Sequence, residues 1–483
     1  MAYISLGYYL FVAALAAVYY RLPMNRRWTV LLIGSISFYL YVQPGLLELA
    51  CFFAAIVFCY LGGICLEKEA DQSIGRRRLL LAVFILLSAM PLLVSRFGDL
   101  LTYSILRRER VNWITPVGLA FYSMQMIAYL ADIYRREISP QKNFCKFMLF
   151  VSFFPQIIQG PISSYGQLSP QLYEGHSFNS RETVKGIHLI LWGFFLKRMI
   201  ADKAAIVVDT VYAGVKVYAG AYFWVAAILY SIQLYADFLA CVTLSRGVCK
   251  LFGIQLMDNF NHPYFAESIG DFWHRWHISL SIWLKKYIYI PLGGNRKGRL
   301  RKYINLFATF LVSGIWHGNG LQYIAWGLNH AVFQTAGSLT RGVRDKIYDR
   351  LGMKQGSFWR RTLRSLGVFF WVTLSWVLFR ADGLANGLRI LRSMFTVWNP
   401  YVLFDDSLFT LGLCWKEFAV LLLSIALMVW VSREQQRRGI SDWILAQPAV
   451  VRYVLYYVLI LVLWIFGTYG FGFDAKDFIY GGF

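Results

Sequence analysis

Long apolar stretches separated by short clusters of Lys and Arg run through the whole chain, and no water-soluble fold accommodates that pattern. A helix needs around 20 apolar residues to cross a hydrocarbon core of about 30 Å. Candidate spans lie at 3–20, 28–42, 46–65, 79–94, 114–134, 144–162, 186–208 and 222–239, then at 303–316, 322–339, 366–379, 418–431 and 453–469. Composition agrees, with 58% hydrophobic and 15% charged residues, where soluble domains carry about 25% charged. The aromatic content of 18% suits rings gathered at the headgroup levels. The expected fold is therefore all-α, a polytopic membrane protein of about eleven to thirteen helices with some re-entrant or amphipathic helices among them. No linker or repeat marks a second domain, so one integral membrane domain is expected over 1–483, with its core of motifs in 251–340.

The net charge of +22 does not point to nucleic acid, because the basic residues sit between apolar segments instead of along one face. The lipid bilayer is the expected partner. Loops with Arg21, Arg26 and Arg27, and with Lys68 and Arg76 to Arg78, alternate with an uncharged one at Gln43 to Gly45, which puts the N-terminus outside. The cluster Arg107, Arg108 and Arg110 breaks the alternation and reads as a surface helix. The first apolar run lacks a basic n-region and a cleavage site, so it is expected to stay as the first span. Seven cysteines without a C-x-x-C pair read as core packing.

The stretch 271–302, DFWHRWHISLSIWLKKYIYIPLGGNRKGRLRK, is too polar to span simply and too aromatic for a solvated loop. Its second part, 285–302, carries seven basic residues and no acidic one, which places it on the cytoplasmic side. Its first part reads as an amphipathic or re-entrant helix buried in protein or lining a wet cavity. Four of the seven histidines fall between 271 and 330. An ionisable group at mid-bilayer costs about 2.5–3.5 kcal/mol on insertion scales, so each asks for a partner or a purpose.

His317, in SGIWHG, admits two readings: a general base that takes a proton from an acceptor hydroxyl, or an interhelical hydrogen bond. Gly314 and Gly318 beside it allow a substrate or another helix to come close. His274 and His277 are spaced to share a helical face. No third ligand stands at convincing spacing, so no metal is expected. His277, followed by Ser279 and Ser281, reads as a site-lining or base-orienting residue, and His330 as packing. Asn305, Ser313, Trp316 and Asp237 are further candidates for lining a substrate tunnel. A lone intramembrane carboxylate such as Asp237 is expected to pair with Arg246 or a loop cation, unless it relays protons as in a transporter or flippase. A scaffold that only docks a partner is the third class.

The motifs in 271–296, VSGIWHG (312–318) and WGLNHA (326–331) stand in one order. They follow TPVGLAFYSMQMIAYLADIYR from Thr115, FFPQIIQGPI from Phe153 and LFGIQLMDNFNHPYFAESIGDFW from Leu251, and precede WVLFRA from Trp376 and DFIY from Asp477. Together they resemble the membrane-bound O-acyltransferase (MBOAT) family, in its bacterial branch of alginate O-acetylation and teichoic acid D-alanyl transfer proteins. The resemblance implies a ring of helices around a central funnel or tunnel, with His317 as the essential histidine and His277 as a second functional one. It also implies no bound cofactor and an acyl thioester donor, acetyl-CoA or an acyl carrier protein, at the cytoplasmic face. An extracytoplasmic acyltransferase partner and a polysaccharide or teichoic acid acceptor complete the expected reaction. The chain departs from the pattern at Val242-Thr243, where relatives have a Ser-Asp pair, at His274, where they have Arg, and at Gly481-Gly482, where they have bulkier residues.

Overall fold

The computed structural model describes residues 3–69, 73–99 and 114–469. Arg107, Arg108, Arg110, the DFIY motif and Gly481-Gly482 lie outside the described residues. The described residues are helical throughout and form no β-strand, only one isolated bridge between Phe260 and Trp276. Two compact units divide the described residues: those within 3–193 together with 241–258, and 194–240 together with 259–469.

The first unit contains α1 (Leu6–Arg21), α2 (Arg27–Val42), α3 (Leu46–Lys68), α4 (Ile74–Asp99), α5 (Leu119–Tyr134), α6 (Phe144–Ser152) and α7 (Tyr165–Glu174), with most of α8 (Ser180–Phe195). Its core is aromatic. Tyr39 stacks on Phe52 at 3.8 Å, and Phe154 meets Phe11, Phe38 and Phe252. The apolar run 144–162 is not one span: helix ends at Ser152, and FFPQII continues as turns because Pro155 offers no N–H to a helix.

The second unit begins where α8 widens into a π turn, Leu196–Ala201, and continues as α9 (Asp202–Ala213). The long α10 (Ala221–Leu251) starts here and ends in the first unit. Two short helices follow, α11 (Ile269–Arg275) and α12 (Ile278–Leu284), and a π turn at Lys285–Tyr289 leads to α13 (Gly298–His317). Then come α14 (Leu321–Leu339), α15 (Arg341–Arg350), α16 (Phe358–Arg380), α17 (Leu384–Thr396), α18 (Trp415–Gln435), α19 (Ile440–Leu445) and α20 (Ala449–Phe466).

Six of these helices, α3, α4, α10, α16, α18 and α20, are long and apolar enough to cross a membrane. Their outward faces suit lipid better than water: Trp464 and Ile465 of α20 stand 78% and 66% exposed, and Leu423 of α18 stands 71% exposed. Other expected spans are shorter or carry charge, and the run 186–208 is interrupted by the π turn. The cysteines divide: Cys59, Cys241 and Cys249 are buried, whereas Cys145 and Cys414 are exposed, so core packing does not cover them all. Cys414 instead caps α18, its N–H donating to Glu417 at 2.9 Å.

Candidate active site

The first part of the stretch 271–302 is broken where one amphipathic helix was expected. His277 has φ 45° and ψ 56°, a left-handed conformation that no α-helix continues, so α11 stops at Arg275 and α12 starts afresh at Ile278. The shared helical face expected of His274 and His277 does not exist. His274 is exposed, and His277 is completely buried. A loop fastens the break: Asn259 accepts from the Ser279 N–H and hydroxyl, both at 2.9 Å, and its carbonyl accepts from Ile278 N–H at 3.0 Å. The His277 ring packs between Phe238 (4.8 Å) and Trp316 (5.9 Å).

α13 and α14 cross at van der Waals limit because their glycines allow it. A Cβ on Gly314 would lie 2.5 Å from the Tyr323 carbonyl, and one on Gly327 would lie 2.3 Å from that of Phe310. It is the neighbouring helix that uses this space. The crossing places His317, 2% exposed on the last turn of α13, against Trp326 at 4.6 Å between ring centroids. Trp316 (4.6 Å) and Phe379 of α16 (5.6 Å) close around the same imidazole. Trp316 thus links His317 to His277, and Trp326 links it to His330 at 5.1 Å.

Hydrogen bonding assigns these rings opposite tautomers. His317 Nδ1 lies 2.6 Å from the Ser313 carbonyl oxygen, which can only accept, so Nδ1 carries the proton and Nε2 is the basic nitrogen. His330 Nδ1 accepts from the Trp273 indole N–H at 3.3 Å, so its own proton is on Nε2.

A cleft of about 1380 Å³ opens beside this cluster, entirely within the second unit. One face of α13 forms its rail: Lys302, Tyr303, Leu306, Thr309, Phe310 and Ser313, at helical spacings of three and four. Lys302 to Ser313 spans roughly 16 Å, and His317 follows one turn further on. Lys285, Arg341 and Arg344 line the exposed end, whereas Trp273, Phe310 and Ser313 at the other end are less than 10% exposed. A lipid-facing groove would not carry these cations.

Of the remaining candidates, Ser313 lines the cleft and holds His317 through its carbonyl. Asn305 is buried outside the lining, its amide donating to Gly294 O at 3.0 Å and bracing the basic turn. Asp237 does not pair with Arg246, which meets Asp258. Its partner is Lys197, 2.7 Å away, which also meets Asp202 at 3.0 Å; Arg198 in turn meets Asp202 at 3.0 Å. The π turn brings Lys197 and Asp202, five residues apart, onto one side. The sequence reading missed this network, although Lys197, Arg198 and Asp202 inside an apolar run were its signal. It also did not single out Asn259, Trp273, Trp326 and Trp376, although each lies within a motif that carries the family resemblance. Among the described residues no three His, Cys, Asp or Glu side chains gather closely enough to hold a metal ion.

Buried histidines beside a cleft with cations at its mouth, in a chain with six helices of membrane-spanning length, are the features that a class of protein has to account for. Residues 89–376 match the model of the membrane-bound O-acyltransferase family. The chain is 32% identical over 390 residues to "Probable alginate O-acetylase AlgI" of Pseudomonas fluorescens, covering 80% of this chain and 74% of that protein. It is 32% identical over 421 residues to the peptidoglycan O-acetyltransferase of Helicobacter pylori, covering 80% and 76%. With the teichoic acid D-alanyltransferase of Bacillus subtilis it shares 27% identity over 271 residues, covering 52% and 66%. The chain belongs to the membrane-bound O-acyltransferase family and is a multi-pass membrane acyltransferase.

Proposed function

We propose that this protein moves a short acyl group, acetyl in first place, from a thioester donor at the cytoplasmic face of the cell membrane to a hydroxyl reached from outside. The donor is acetyl-CoA or an acylated carrier protein, and the protein carries no cofactor of its own. The acceptor is a cell-surface polysaccharide or related polymer, reached directly or through an extracytoplasmic acyltransferase partner. The basic loops then lie in the cytoplasm and the N-terminus outside.

The observation that carries this reading is the rail along α13, which runs from cations at the cleft mouth to Ser313, one turn short of His317. Phosphates of the donor are drawn to Lys285, Lys302, Arg341 and Arg344, and the pantetheine arm extends along the rail. His317 Nε2 takes the proton of the acceptor hydroxyl as its oxygen attacks the thioester carbonyl. The new C–O bond forms, the C–S bond breaks, and the proton returns to the departing sulfur. His277, clamped between Phe238 and Trp316, braces Trp316 where that ring packs against His317. Acetyl is preferred to D-alanyl because the relatives named for O-acetylation match over 80% of the chain at 32% identity, against 52% at 27% for the alanyl transferase.

The test is ester formation from radiolabelled acetyl-CoA by the purified protein in nanodiscs with cell-envelope polymer. Label should pass to the polymer with wild type and not with His317→Ala. A protein that consumes no thioester, yet moves solute across the bilayer, would be a transporter and would end this proposal.

A further inference from the structure

Nothing in the cleft wall is as tightly held as its closed end. Trp273 of α11 and Phe310 of α13 both line the cleft and meet with ring centroids 5.4 Å apart. Both rings rest on His330, which is completely buried, stacks on Phe310 at 6.1 Å and 19°, and meets Trp273 edge-on at 5.0 Å. The Trp273 N–H is fixed by His330 Nδ1. Behind these rings Trp326 and Trp376, with no exposed surface, stack 5.7 Å apart and fill the space into which a longer chain would have to extend. A packed interior of this kind yields little without side chains leaving their rotamers.

We infer that Trp273 and Phe310, held in place by His330, form the floor that sets acyl length, restricting the enzyme to acyl groups of two or three carbons. Trp273 and Phe310 are specificity-determining residues, and His330 is a positioning residue that acts through them. Its imidazole is suited to this role because one flat ring supplies both a stacking face and a hydrogen-bond acceptor. The inference rests on the proposed thioester donor.

The test uses S-ethyl, S-butyl and S-hexyl thioethers of phosphopantetheine, the arm common to coenzyme A and carrier proteins, so that neither turnover nor an acceptor is required. Dissociation constants are measured with the full-length protein in nanodiscs. Wild type should bind the S-hexyl compound about tenfold or more weakly than the S-ethyl one, and Trp273→Ala should shrink the gap to about threefold or less. Phe310→Ala provides the same test should Trp273→Ala not yield monodisperse protein. His330→Gln, whose amide oxygen still accepts from the indole, should keep the wild-type preference, whereas His330→Leu should relax it. A floor variant that retains the wild-type gap, or a wild type without one, overturns the assignment and leaves the donor proposal standing. A wild type that binds none of the three overturns both.

Discussion

Two regions of the second unit bury ionisable groups and do so in different ways. At the π turn, Lys197, Asp202 and Asp237 are each less than 5% exposed at the side chain, and their charges cancel in short ion pairs with Arg198 completing the set. Around His317 the surroundings are aromatic: Trp316, Trp326 and Phe379 enclose the imidazole, and the Ser313 carbonyl accepts from its Nδ1–H. Paired charges solve a solvation problem and are spent on each other. An imidazole among rings, with its Nδ1–H committed to a backbone carbonyl, has Nε2 as the nitrogen that can accept a proton. Burial of charge alone therefore does not mark the site; what distinguishes it is how the buried group is satisfied.

Removing His317 draws this contrast most sharply. His317→Ala is expected to lower acyl transfer by about 10²–10⁴-fold, while the protein extracts and melts closer to wild type than a variant that breaks a buried ion pair. Loss of folding together with activity would make His317 a structural residue like Lys197.

The mirror experiment is Lys197→Met. It leaves Asp237 without its cation, and breaking a buried pair costs about 3–5 kcal/mol. Its melting temperature in detergent should fall well below that of His317→Ala. Adding Asp237→Leu should recover part of the loss, since replacing both partners removes the orphaned charge. If the double variant is less stable than the single one, Asp237 has another essential partner and the two regions are less different than their geometry says.

The sequence exposes one side of this comparison better than the other. Span-length apolar runs, the basic segment 285–302 and His317 in its glycine-flanked motif are local patterns, readable along the chain. The Lys197 to Asp237 pair joins residues 40 positions apart, so the sequence shows two charges in apolar runs and not that they meet. The break at His277 depends on a left-handed residue fastened by Asn259, and nothing in RWHIS forbids continued helix. Trp273, Trp326, Trp376 and Phe379 come from three helices, α11, α14 and α16, and nothing in their residue type separates them from the many exposed rings. Only the fold shows which aromatics enclose the site.

Both regions depend on helices kept at fixed separation, and the α13/α14 crossing offers a graded way to disturb one of them. Gly314→Ala places a methyl group 2.5 Å from the Tyr323 carbonyl, which must move. Overpacking of this kind costs about 1–3 kcal/mol, and the shift falls between His317 and Trp326. Activity should therefore drop by a larger factor than stability alone accounts for, whereas Gly75→Ala, on α4 with open space around it and away from the cleft, should change neither. Equal effects of the two substitutions would mean that the crossing does not set the geometry of the site.

The smallest expected effect concerns a third, more exposed charge cluster at the cleft mouth, which tests whether solvent access rather than pairing separates the two buried regions. Asp345 of α15 accepts from Arg360 at 2.9 Å and also meets Arg364. Those guanidinium groups, Arg360 foremost, hold its carboxyl below the usual range. A depressed carboxyl contributes stability that is present above the unfolded-state pKa of about 3.9 and is lost as pH falls through the lower folded value. Hydrogen exchange in residues 341–350 should thus be flat from pH 8 to pH 5, once corrected for intrinsic rates, and protection should fall only in more acid solution. Asp345→Asn should lose part of that protection at neutral pH and show a weaker acid transition. Because this cluster is partly solvated, added salt should also loosen it, while the Lys197 network should not respond.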